Sequence, residues 1–214
     1  FLDHPNRSKL RGIQFKINYT SIQEAIDESK PGDIITVQSG DYHELLTVDK
    51  PSIILRGNDS GGGLPVVMGD GVGNTVNLSA DGITLENLVI SNSGNPHAGI
   101  NVVSNNNIIA SNVIIDNRGY GVHLREKSNN NTILGNNVSR DGLGGIRLDM
   151  SQLNTIAANE IFYNNMSGIS LQNSSDNTIS KNIIMENNNH GIVFFESNYN
   201  VIENNTFSNN TEGG

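Results

Sequence analysis

Residues 121–141 read GVHLREKSNNNTILGNNVSRD, and the chain repeats that sentence three more times. The echoes are GIRLDMSQLNTIAANEIFYN at 145–164, GISLQNSSDNTISKNIIMEN at 168–187 and GIVFFESNYNVIENNTFSNN at 191–210, with a looser version at 99–117. The leading glycines, Gly99, Gly121, Gly145, Gly168 and Gly191, are 22, 24, 23 and 23 residues apart. That is the period of one solenoid coil, shorter than a propeller blade or a helical-pair repeat.

Laid coil over coil, the repeats fall into columns. Each glycine is followed by two apolar residues two positions apart, from Ile100 and Val102 to Ile192 and Phe194, which is strand periodicity. A serine column follows (Ser104, Ser128, Ser151, Ser174, Ser197), then asparagine (Asn107, Asn131, Asn154, Asn177, Asn200) and isoleucine (Ile109, Ile133, Ile156, Ile179, Ile202). A second asparagine column runs from Asn112 to Asn205, a further apolar column from Ile114 to Phe207, and a closing column through Asn117, Asp141, Asn164, Asn187 and Asn210. From serine to closing column the length never changes, so only the turn after the glycine strand tolerates insertion.

This pattern predicts three short parallel strands per coil, stacked roughly 4.8 Å apart, with apolar columns filling the bore. Of the 35 asparagines, 27 lie beyond residue 100. Held in register with Ile, Val and Leu, they form ladders that bond from coil to coil and accept the left-handed backbone of sharp corners, not a low-complexity tract. Asn131, Asn154 and Asn177 are therefore expected to be buried.

A chain of 214 residues, 35% hydrophobic and without a second compositional regime, reads as one elongated domain over 1–214. Its expected parts are a lead-in at 1–19, a capping helix at 20–32, irregular coils at 33–98 and regular repeats at 99–214. Starting at Phe1, the chain reads as part of a longer one. A net charge of −9 without a Lys/Arg cluster argues against nucleic acid and anionic membrane as partners. No apolar run reaches the roughly 18 residues of a transmembrane helix. The absence of cysteine removes disulfides, thiol catalysis and thiolate metal sites together.

In the lead-in, Ile13, Phe15 and Ile17 alternate like an edge strand. In TSIQEAIDESKPG, Ser21 and Glu24 form a capping box, Ile22, Ala25 and Ile26 share a face, and Pro31 with Gly32 end the helix. Strands are expected around Ile34 to Val37, Leu45 to Val48, Ile53 to Leu55 and Pro65 to Met68. The glycine-rich segment 57–73 has no following Lys or helix and reads as a flexible turn, not a phosphate cradle.

Residues 21–57, SIQEAIDESKPGDIITVQSGDYHELLTVDKPSIILRG, resemble the opening cap and first coil of the NosD-like and pectin-lyase-like right-handed β-helices, the group of carbohydrate-binding proteins and sugar hydrolases. The GI-x-L and NTI-x-x-N-x-I-x-x-N coils resemble the parallel β-helix repeats of the same group, and together the two cover about residues 20–210. The resemblance implies an all-β, right-handed, single-stranded parallel β-helix with three strands per coil and an N-terminal capping helix. It also implies chemistry on an outer strand face, where side chains from successive coils line up.

Carried onto this sequence, that face offers Asn101, His123, Arg147, Ser170 and Val193 in one column, and Val103, Arg125, Asp149, Gln172 and Phe195 in the next. The candidate catalytic residues are His123, Arg125, Glu126, Arg147 and Asp149, beside the variable turn. A uronate lyase needs a base at the C5 proton, supplied by His or Arg, and an arginine for the carboxylate. A hydrolase needs two carboxylates, for which Glu126 and Asp149 are the nearby pair. The bland alternative is a solvated salt ladder with Arg125 over Asp149. The YGVH at 120–123 resembles the Tyr-Gly motif of β-helix uronan epimerases over only a few residues and lacks an acid beside the histidine.

NosD-like proteins are associated with copper delivery, but His4, His43, His97, His123 and His190 fall in different columns, so neither copper nor any other cofactor is expected. Calcium is left open on the acidic surface, with no recurring Asp column to hold it. Sequons at Asn18, Asn58, Asn77, Asn130, Asn137, Asn165, Asn173, Asn204 and Asn209 point weakly to the cell surface. The favoured reading is a non-catalytic extracellular or cell-surface module that binds polysaccharide or builds a surface layer. Its alternative is a secreted polysaccharide lyase or glycoside hydrolase. The last coil reads as an uncapped edge through which the chain self-associates.

Overall fold

A computed structural model describes residues 19–214; the lead-in strand, His4 and the sequon at Asn18 lie outside the described residues. The chain winds into a parallel β-solenoid of three sheets, with eight, eight and seven strands. The first sheet runs from Ile34–Gln38 to Val201–Glu203, the second from Asp41–His43 to Thr206–Ser208, and the third from Leu46–Val48 to Ile192–Phe195. Every pairing is parallel, and the expected columns stack: Ile109, Ile133, Ile156, Ile179 and Ile202 are direct register partners. One continuous apolar core, from Ile22 to Ile192, fills the bore. The strand Asp41–His43 escapes a reading by alternation because Asp, Tyr and His show no apolar period.

The helix spans Ile22–Glu28 and buries Ile22, Ala25 and Ile26 against the first coil. Half of the expected capping box forms, with the Ser21 hydroxyl accepting from Glu24 N at 3.0 Å. The first-turn donors go elsewhere: Ile22 N and Gln23 N both donate to the Glu44 carboxylate, each at 2.9 Å. Lys50 Nζ donates to Ile26 O at the opposite end, where the helix dipole favours a cation. The first coil thus caps its own capping helix.

Three asparagine ladders run parallel to the axis, one at each corner. In the first, the backbone N–H and Nδ2 of Asn107 both donate to Asn131 Oδ1, Asn131 does the same to Asn154, and Asn154 to Asn177. The second and third repeat the scheme, and in all three ladders Nδ2 groups also donate back to a carbonyl of the preceding coil, as from Asn131 to Ser104 O and from Asn159 to Ile133 O. Asn131, Asn154 and Asn177 are at most 1% exposed. The left-handed corner residue is not the ladder asparagine but the one before it, and it is chemically indifferent: Leu153, Ala158, Tyr163 and Lys181 all have φ between 54° and 58°. Each such residue is disfavoured by roughly 1–2 kcal/mol, and the ladder bond that follows holds it in place.

One ladder member breaks the scheme. Asp141 Oδ1 accepts from Asn117 N and Nδ2, both at 3.0 Å, but its Oδ2 stands where the other coils have an amide Nδ2 and is buried without a partner. Burial pushes its pKa well above the ordinary value of 3.8, against the hydrogen bonds from Asn117.

Two outcomes are expected. Asn154→Ala strips Asn131 of its acceptor and should lower unfolding stability by about 1–3 kcal/mol in a denaturant titration, where an unchanged midpoint would contradict the ladder. Because burial raises the pKa of Asp141 in the fold, above 3.8 the unfolded chain gives up this proton more readily than the folded one. The unfolded state then binds fewer protons, so stability falls as pH rises from there. Asp141→Asn should raise the melting temperature at neutral pH and flatten that decline.

Candidate functional site

The outward column on the third sheet stands as read, with Asn101, His123, Arg147, Ser170 and Val193 as successive register partners. His123 and Arg147 are therefore neighbours by backbone geometry alone. Asp149 lies on the same strand as Arg147, two residues on, so its side chain points to the same side. It reaches diagonally to both: His123 Nε2 lies 2.6 Å from Asp149 Oδ2, and Arg147 Nε donates to Asp149 at 3.0 and 3.1 Å. Arg147 Nη2 continues the chain to Gln172 Oε1. The acid missing from the sequence around His123 is thus supplied by the next coil.

Tyr120 closes the group from the other side. Its ring centre lies 5.1 Å from that of His123, tilted 57°, and 5.7 Å from the Arg147 guanidinium carbon, a cation–π distance. The side chains of His123, Asp149 and Arg147 are 13, 23 and 23% exposed, reachable from solvent yet braced. Burial alone would push the Asp149 carboxyl up. Hydrogen bonds from His123 and Arg147, with the charge of both, outweigh burial and hold it below the usual carboxylate range. Arg147 is pushed up in turn: burial opposes its charge, but Asp149 more than compensates.

Arg125 and Glu126 stay apart from this group. Arg125 follows the strand Tyr120–Leu124, where Glu126 and Lys127 both take left-handed backbone in the one turn that carries the extra residue. Its partner is Glu126, at 3.4 Å in an exposed pair, so the salt ladder of Arg125 over Asp149 does not form and Glu126 does not face Asp149 as a carboxylate pair.

Beside the polar group lies an open depression of about 210 Å³, lined by Tyr120, Leu143, Gly144, Arg147, Met166, Ser167, Ser170, Asn189, His190 and Val193. His190 Nδ1 is buried there without a partner. Column reading placed Arg147, Ser170 and Gln172 on this face but did not take Tyr120 or His190 as site residues. The signal for Tyr120 and His190 was their shared position immediately before a repeat glycine. Among the described residues, no three His, Cys, Asp or Glu side chains converge as metal ligands, and no helix is long and apolar enough to cross a membrane.

Comparison with known proteins places the fold in context. An alginate lyase from Paenibacillus sp. str. FPU-7 superposes with a TM-score of 0.57 at 15% identity, covering 90% of this chain and 96% of that one. A double mutant of the periplasmic alginate epimerase AlgG gives 0.57 at 15% identity over 89% of this chain and 52% of its own, so the chain spans about half of that protein's length. The pectate lyase Pel9A gives 0.54 at 16%, over 78% and 48%. At such identities the likeness establishes the fold and nothing finer. No curated protein matches the chain. Residues 54–214 match the family described as periplasmic copper-binding protein (NosD), and the chain belongs to that family.

Proposed function

We propose that the chain is a non-catalytic module, exported to the periplasm or the cell surface, that binds polysaccharide along the outer face of the third sheet. The observation carrying this reading is the closed polar group: Asp149 engages His123 and Arg147 together, and Gln172 engages Arg147 again. Of the two His123 nitrogens, Nε2 is committed to Asp149, which leaves Nδ1 alone for a base. A charge that stabilises an enolate must be uncompensated, and Arg147 faces a carboxylate. A hydrolase is the less supported alternative, because its general acid must be protonated near neutrality while Asp149 is held ionised. What the group does offer is a rigid row of donors beside an open depression, which suits recognition of sugar hydroxyls.

A lyase remains the second reading, favoured by one observation: His, Arg and Tyr share a single outward face next to that depression. A glycan array run beside an assay for unsaturated uronate products separates the two. Binding without product is expected; product that disappears in both His123→Ala and Arg147→Ala would replace the binding module with the lyase.

Copper, which the family description names, is a poor match to the donors on this face. The depression brings His190 together with Met166, an imidazole and a thioether that copper accepts, but Arg147 shares the same wall and repels a cation.

We also propose that the polypeptide 1–214 associates through its last coil. Phe194, Ile202 and Phe207 are 40, 41 and 37% exposed, although their column partners are buried. Residues 211–213 continue the coil path instead of crossing the end, with Thr211 N donating to Asn187 O and Gly191 N to Gly213 O. The net charge of −9 opposes pairing at low salt. Light scattering should show association that strengthens with ionic strength, and a strict monomer at all concentrations would overturn it.

A further inference from the structure

We infer that the outward face of the first sheet, over the coils from Ile108 to Ser180, adsorbs to ice. The face is built by register. Ile108, Thr132, Thr155 and Thr178 are successive strand partners, and so are Ala110, Leu134, Ala157 and Ser180 two residues on. The isoleucine between each pair is wholly buried, so both columns point outward. The result is a grid that repeats about every 4.8 Å from coil to coil and about every 6.6 Å along the strand. An asparagine ladder runs down each side of it, from Asn107 to Asn177 and from Asn112 to Asn182. The two ladders tie each coil to the next and oppose the twist that strands otherwise accumulate.

The chemistry of the grid sets it apart. The chain holds 13 Lys and Arg and 22 Asp and Glu, yet neither column carries a charge over these four coils. In these columns charge returns only beyond the ends, with the Arg56–Glu86 ion pair before the grid and Glu203 after it. Thr132, Thr155 and Thr178 are held through the backbone, their N–H groups donating to Asn107 O, Asn131 O and Asn154 O at 2.8, 2.9 and 2.9 Å. Their hydroxyls are left to the outward side and stand in step, because a β-branched side chain has few rotamers.

A protein partner would look for anchors, and Trp, Tyr and Arg are all missing from the two columns. What matches a neutral, periodic surface is a neutral, periodic partner. A hydroxyl both donates and accepts hydrogen bonds, as each water of an ice lattice does, and the coil repeat is close to that of the oxygen rows on ice. The Thr methyl groups lie between the hydroxyls and order the water around them. A charged side chain in the grid would have to give up its hydration against an uncharged lattice, and this face holds none.

The test reads ice directly. Recrystallisation of a frozen film is followed by microscopy, with thermal hysteresis and partition into slowly grown ice measured on the same protein. The wild type is expected to keep crystals small, to separate the melting and freezing points and to enter the ice. Thr155→Tyr, which raises a ring from the middle of the grid, and Thr155→Lys, which adds a charge, should lose all three effects. Glu160→Tyr, exposed on the second sheet, should keep them. Circular dichroism and melting temperature establish that each variant is folded. A wild type without effect on ice overturns the inference, as does activity retained by folded Thr155→Tyr and Thr155→Lys, or lost equally in Glu160→Tyr. If Thr155→Tyr abolishes self-association in light scattering while the wild type leaves ice unchanged, the face belongs to a second copy and the inference falls. Glycan binding on the third sheet stands or falls separately.

Discussion

Each regular coil of this molecule turns three ladder corners, and nearly all of them hold a residue other than glycine in left-handed backbone. A chain of L-residues adopts that conformation reluctantly, and here it does so at Leu153, Tyr163, Lys181 and many more positions. At the ladder corners the compensation is the next residue, in most coils an asparagine whose Oδ1 accepts both the N–H and the Nδ2 of its counterpart one coil earlier. Two donors meeting one buried acceptor leave little freedom of register. The apolar columns then follow: Ile133 sits over Ile109 because the corners on either side of it are fixed.

The same rigidity explains how a few polar side chains come to stand together. His123 and Arg147 are 24 positions apart in sequence but adjacent in the sheet, and neither can slide without breaking the corners that flank its strand. Asp149 is held at the diagonal and gathers both. Its carboxylate sets the character of the face, since it engages His123 Nε2 and the Arg147 guanidinium together. The family to which the chain belongs and the solved structures that share its fold carry different activities in their names. The fold therefore leaves function to the outward columns, and those columns are what distinguish this chain.

Legibility in the sequence tracked how local the cause was. The strands, columns and burial of the asparagines were readable because the same residue type recurs every coil, and a repeated residue in a solenoid has a repeated environment. Residues without a repeated identity were opaque. The left-handed corners were expected on the ladder asparagines and sit one residue earlier, where Leu, Ala, Tyr and Lys share nothing but position, and Asp41–His43 lacks an apolar rhythm. At the site, column logic finds partners directly above one another, such as His123 and Arg147. It does not find diagonals, so Asp149 was assigned to Arg125 although it turns to His123. Nor does it see space: the depression beside Tyr120 and His190 is lined by Gly144 and Ser167, and an absent side chain leaves no letter to align.

The ladders also have a direction. The backbone N–H of each ladder asparagine donates to the coil that comes later in the chain, never to the one before, so a coil is completed only by its successor. A chain that emerges amino end first presents its coils in that order. The helix Ile22–Glu28 closes the starting face, and each new turn then satisfies donors left waiting by the turn already in place. Vectorial delivery, whether from a ribosome or through a secretion pore, supplies the pieces in the sequence in which this solenoid can use them.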